Sequence, residues 1–162
     1  MANENDSRIC DQLIALPIGA RLPFLLKVAD DIFDDSCYWQ IVAGVWIGSE
    51  VCSPYIKVWR DLFTAPRRNR HKLMKGADRR IWRSIVKRGA PKYITAYRAM
   101  NPDDDVITAI SWTLSESVAN KLARGRKVIS LEIPKECIIA YFDRRQEHEI
   151  IHLYEEVRIR GI

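Results

Sequence analysis

The sequence predicts an α+β protein in which a helical subdomain comes first and a small mixed or antiparallel sheet follows. Three observations carry this expectation. Apolar residues recur at helical spacing through the first 90 positions. After Pro91 short runs of β-favouring residues replace them. Among those runs lies one stretch with a helix-start signature, which places a single helix between strands.

The helices are read in order. Pro23 to Phe33 sets Leu25, Leu26, Ala29, Ile32 and Phe33 at helical spacing. Asp34, Asp35 and Ser36 can cap the next helix, which carries Trp39, Ile41, Val42, Val45 and Trp46. Ser53 before Pro54 predicts the start of a third helix running through Leu62. Asp78 opens a fourth, with Ile81, Trp82, Ile85 and Val86 on one side and Gly89 closing it. The tryptophans read as packing residues of these helices.

The strands come next. Tyr93 to Arg98 and Val106 to Trp112 are the first pair, joined by the polar turn Asn101-Pro102-Asp103-Asp104-Asp105. Thr113-Leu114-Ser115-Glu116 has the capping-box form and predicts a helix bearing Val118, Ala119, Leu122 and Ala123. Lys127 to Ile133 alternates, with Ile129, Leu131 and Ile133 on one face, and Ile138 to Phe142 is a further strand. The change of pattern divides the chain into a helical, partly basic part, 1–90, and a sheet part, 91–162, packed as one unit.

Composition narrows the class. A chain of 162 residues with 48% apolar and 29% charged residues can bury a core without staples. The four cysteines are scattered and include no C-x-x-C pair, which excludes a disulfide framework and a cysteine zinc site and suits a reducing compartment. Met1 to Asp11 is polar and mildly acidic, unlike a signal peptide, and no apolar run reaches the roughly 18–20 residues that span a bilayer. A cytosolic protein with no membrane partner is expected.

The net charge of +5 is unevenly spread. Residues 1–56 hold 3 basic and 8 acidic side chains, residues 57–88 hold 12 and 2, and residues 89–162 hold 11 of each. All the basic excess therefore falls in one stretch, which is either a solvated helical face or a site for an acidic protein or nucleic acid.

The letters Glu147-His148-Glu149-Ile150-Ile151-His152 support two incompatible chemistries. From His148 they match H-E-x-x-H, a zinc-hydrolase signature in which His148 and His152 ligate and Glu149 is the base. That reading needs a helix, where the histidines lie one turn apart. On a strand, four residues separate them by roughly 13 Å, too far to share a metal. From Glu147 the same letters read E-x-E, with both carboxylates on one side of a strand.

The E-x-E reading does not stand alone. Tyr97-Arg98-Ala99, Ile110-Ser111-Trp112-Thr113 before a helix with Val118-Ala119, and Glu147-His148-Glu149-Ile150 occur in that order. Together they resemble the Y-R-G, S-x-S/T and E-x-E motifs of the arginine–serine–glutamate class of mono-ADP-ribosyltransferases, including short phage-type members. Ala99 stands where glycine is common in that class.

The resemblance implies an enzyme that uses NAD as substrate, with no metal. Glu149 would be the carboxylate that stabilises an oxocarbenium-like ribose. Arg98 would hold the anionic cofactor through its guanidinium fork. Ser111 would orient Glu149 or line the nicotinamide pocket, with Ala99, Trp112 and Thr113 completing the cofactor surface. Glu147 would engage the acceptor, which tilts the target towards an arginine of a protein docked by residues 57–88. The small size and phage-type resemblance suit an effector acting on a host or defence protein. A catalytically silent module binding nucleic acid or an acidic protein is the alternative, and the zinc hydrolase the third.

Overall fold

Asn3 starts the first helix by accepting a 2.8 Å hydrogen bond from Asn5 N. The computed structural model describes residues 3–49, 55–102, 105–106 and 109–154, in which the chain divides into two compact units, Met1–Leu73 and Met74–Ile162. The division lies upstream of the 90/91 boundary expected from the change in pattern, so the helix after residue 75 groups with the sheet.

In the first unit, α1 (Glu4–Ala15) carries Glu4 and Asp6 in its first turn, favourable to the helix dipole, and buries Asp6, Ile9 and Leu13. The polar start of the chain is thus a helix with a narrow apolar stripe. Asp6 is 1% exposed, and its two oxygens accept from Phe33 N and Asp34 N, both at 2.9 Å.

Those bonds explain a difference from the expected second helix. Instead of running from Pro23 to Phe33, α2 spans Ile18–Val28 with Pro23 inside it, and a 3₁₀ turn, Ala29–Asp31, follows. The chain then leaves the helix to meet Asp6: Ile32 is buried while Phe33 is 73% exposed. Asp34 next caps α3 (Asp35–Gly48) by accepting from Cys37 N at 2.7 Å, as expected.

α3 buries Trp39, Ile41, Val42, Val45 and Trp46, and α4 (Ile56–Phe63) buries Trp59, Leu62 and Phe63. The expected cap at Ser53 and Pro54 lies outside the described residues. Trp46 meets Trp59 edge-on at 4.9 Å between ring centroids and Phe63 at 5.4 Å, while Trp59 stacks on Phe63 at 5.8 Å. Such pairs add about 0.5–1.5 kcal/mol each to the burial of their area. Arg67 belongs to this unit's frame: it donates to Ile32 O at 2.8 Å and Ala29 O at 2.9 Å and lies 4.4 Å over the Tyr38 ring.

In the second unit α5 (Gly76–Val86) starts two residues before Asp78, which sits in its first turn. Trp82 Nε1 donates to Ile138 O at 2.9 Å and anchors the helix on the sheet. Gly89 follows at φ +87°, a left-handed turn residue where the sequence places a helix stop.

The sheet has five strands, β1 (Tyr93–Ala99), β2 (Ser111–Thr113), β3 (Val128–Pro134), β4 (Ile138–Phe142) and β5 (Glu149–His152), in the order β3-β1-β2-β5-β4. Every pairing is antiparallel. The single helix among them is α6 (Glu116–Ala123), whose Ala119 and Ala123 are buried. The protein is thus α+β, with N-terminal helices and then a five-strand antiparallel sheet with one helix.

Two expectations are corrected here. Among the described residues the strand expected over Val106 to Trp112 is found only at Ser111–Thr113, and ahead of it Ala109 N donates to Asp105 O at 3.0 Å. The capping box at Thr113 is displaced by two residues. Thr113 is a strand residue, and Ser115 caps α6 by accepting from Val118 N at 3.3 Å. Among the described residues no helix is long and apolar enough to cross a membrane.

Asp6→Ala leaves the amides of Phe33 and Asp34 without their acceptors. Urea unfolding of this variant is expected to show a loss of about 3 kcal/mol, with Asp6→Asn losing roughly half as much. Midpoints equal to wild type would show that Asp6 does not organise the entry to α3.

Candidate active site

The pairing of β2 with β5 sets the centre of the site. Ser111 lies opposite Ile151, Trp112 opposite Ile150 and Thr113 opposite Glu149. Alternation along the strands puts Ser111, Thr113 and Glu149 on one face and Trp112 and Ile150 on the other. Ser111 Oγ donates to Glu149 Oε1 at 2.5 Å, a diagonal contact across this register.

Arg98 reaches the same residue by another route. It lies opposite Ile129 in the β1–β3 ladder, and the Tyr97–Thr113 pair roots it on the face of Trp112. Its Nη1 donates to Ser111 O at 2.7 Å. Arg98, Ser111 and Glu149 are therefore linked through Ser111, backbone on one side and hydroxyl on the other. They are not gathered as three side chains on one face.

Glu147 is placed differently from expectation. β5 begins at Glu149, and Glu147 has helical backbone angles, φ −85° and ψ −11°. Between them His148 has φ +48°, so strand alternation does not relate the two carboxylates. The β4–β5 loop holds three non-glycine residues at positive φ, Arg145, Gln146 and His148. Such conformations persist where surrounding contacts hold them. Here Thr113 Oγ1 donates to Glu147 O at 2.6 Å and Leu114 N to His148 O at 3.0 Å. The β2–α6 connection, singled out in the sequence as a motif, thereby pins the loop that carries Glu147.

Trp112 is 2% exposed and donates from Nε1 to Ala109 O at 2.9 Å, a packing role. Ala99 ends β1 opposite Val128. The helix needed by the zinc reading does not form: Glu149–His152 is a strand, His152 is fully buried with Nδ1 accepting from Tyr154 N at 3.1 Å, and His148 lies in the loop. Among the described residues no group of three or more His, Cys, Asp or Glu side chains could hold a metal ion.

Sequence reasoning missed one part of this region. Tyr141, at the fourth position of β4, places its hydroxyl 2.8 Å from His148 Nδ1, and Asp143 Oδ1 lies 3.5 Å from the same nitrogen. In the sequence Tyr141 is one letter of an apolar strand, and nothing separates its hydroxyl from a solvent-facing one. Burial first, then repulsion from Asp143 and Asp78, pushes the Tyr141 phenol up to about 12. It stays protonated through the neutral range and remains able to donate to His148.

No family model matches the chain, and neither the curated proteins nor the solved structures contain a match to it.

Tyr141 gives a test of this geometry. A phenol raised from 10.0 to about 12 in the folded state holds its proton where the unfolded chain has lost it. Stability is therefore complete below pH 10 and falls as pH rises towards about 12. Tyr141→Phe is expected to remove one late step from the alkaline phenolate titration and to flatten that fall. An unchanged titration would mean that the Tyr141 hydroxyl is not buried against His148.

Proposed function

We propose that the sheet unit is the core of an NAD-dependent mono-ADP-ribosyltransferase. The observation that carries this reading is the Ser111–Glu149 hydrogen bond, with Arg98 on the Ser111 carbonyl. Three residues from three separate motifs thus form one connected group, in the order and strand context the resemblance implies.

In this reading the bond between ribose C1′ and the nicotinamide nitrogen breaks. Nicotinamide leaves with the bonding electrons, which neutralise its pyridinium charge. Positive charge then builds on the ribose, and Glu149, oriented by Ser111, stabilises it. Arg98 acts through the Ser111 carbonyl, holding Ser111 in place from the other face of the sheet. The acceptor nitrogen, on an arginine of a target protein, bonds to C1′ and gives up a proton. Glu147, in the loop pinned by Thr113, is the acceptor-side carboxylate.

The test is nicotinamide release from NAD by the whole chain, with cell lysate as a source of acceptor. Wild type is expected to release nicotinamide and label a protein band, and Glu149→Gln to be slower by about 100-fold or more. Ser111→Ala, which frees Glu149 to rotate, is expected to lose about tenfold, mainly in kcat. A Glu149→Gln protein as active as wild type, or no release and no NAD binding with several lysates, rules the reading out.

A further inference from the structure

The basic excess of the chain is not one uniform surface. In the second unit, residues 75–92 hold seven basic side chains and one acid, Asp78. The fold sorts them. Arg79 is half-buried and donates to Met74 O at 2.9 Å. Asp78 is half-buried and hydrogen-bonded to the Asp143 backbone, so it does not offset the outer face. Arg80, Arg83, Lys87 and Arg88 are exposed, and among the described residues their side chains form no hydrogen bond or ion pair.

Arg80, Arg83 and Lys87 follow one another at spacings of three and four, so they line one face of α5 and its C-cap. At about 1.5 Å per residue the row is about 10 Å long, roughly three nucleotides of a stacked strand at about 3.4 Å each. The Trp82 bond to Ile138 O and the Lys135 side chain tie this helix to the sheet. Lys135 Nζ donates to Lys87 O and Ala90 O, both at 2.8 Å, and Lys135 N donates to Lys92 O at 2.9 Å. The end of α5 and the start of β1 are thereby tied to one residue.

At that start stands Tyr93, 48% exposed, with Lys92 Nζ 5.5 Å from its ring centroid. Because Lys135 holds the carbonyls of Lys87, Ala90 and Lys92 together, the exposed ring follows directly on the C-terminal end of the basic row, and a polycarboxylate gains nothing from stacking on it. The ring does suit a base whose phosphates lie along the row. We infer that the basic face of α5, with Tyr93 at its end, binds single-stranded nucleic acid. The row takes the phosphates and Tyr93 stacks on a base. Binding of this kind is independent of NAD chemistry, so it persists in Glu149→Gln.

The experiment measures binding of the whole chain to labelled 20-nucleotide single strands, RNA and DNA of one sequence, against the matching DNA duplex and poly-glutamate. Both single strands are expected to bind more tightly than the duplex and the polypeptide. Arg80→Gln/Arg83→Gln/Lys87→Gln should weaken single-strand binding at least about tenfold and make the log–log salt slope shallower by about 2. Tyr93→Ala should cost at least about fivefold at an unchanged salt slope. Lys121→Gln/Arg124→Gln/Lys127→Gln makes the same change in net charge elsewhere on the unit and should leave binding within about twofold. If the α5 triple variant melts early, Arg83→Gln and Tyr93→Ala alone carry the comparison. Equal or tighter binding to the duplex or poly-glutamate overturns the inference, as does equal weakening by the Lys121 control set or no effect of the α5 and Tyr93 changes.

Discussion

The antiparallel register between β2 and β5 is the constraint on which the second unit depends. β2 is only three residues long, yet it sits between β1 and β5 and joins both halves of the sheet. Because side chains alternate with period two, a slip of one residue would send Ser111 and Glu149 to opposite faces. The slip is opposed by burial: Trp112 and Ile150, on the other face, are each 2% exposed or less, and a shift would exchange their environments with those of Ser111 and Glu149. Apolar packing thus fixes the polar contact. The Thr113 and Leu114 bonds to the β4–β5 loop then extend the same register to Glu147 and His148.

Charge in this chain serves two ends that composition alone does not separate. Arg67 and Arg79 spend their guanidinium groups on backbone carbonyls, each within its own unit. They supply donors to backbone carbonyls at the ends of turns and helices. Arg70 is held similarly on Phe63 O at 3.5 Å, and burial lowers its pKa from the usual arginine value. Arg80 and Arg83 lie only a few residues on and face solvent. The difference follows from the helical period of α5, whose inner side is taken by Trp82, Ile85 and Val86.

Much of the fold was legible because the local signals were strong and agreed with burial. The apolar stripe of α3 with its Asp34 cap, the alternation of β3 and the apolar run of β4 are each recovered within a residue or so. The misses share a cause. The helix α1 has a thin apolar stripe, and its stability rests on a buried carboxylate that meets the chain again at Phe33 and Asp34. The second helix ends early for the same reason. Thr113 carries a capping signature, but β2 pairing with β5 claims its backbone, and the cap passes to Ser115.

The sequence by itself determined the class, helices before a small sheet, and the order of the segments that carry Arg98, Ser111 and Glu149. Periodicity and turn chemistry are local properties, set within a few neighbouring residues, so they can be read without coordinates. Only the tertiary structure decided between a helix and a strand for Glu149–His152, put Glu147 off that strand, and joined Tyr141 to His148. Isoleucines and histidines at that spacing are compatible with either conformation. The choice rests on hydrogen bonds and burial supplied by β2 and β4, strands that are distant in the chain and adjacent only once the sheet has formed.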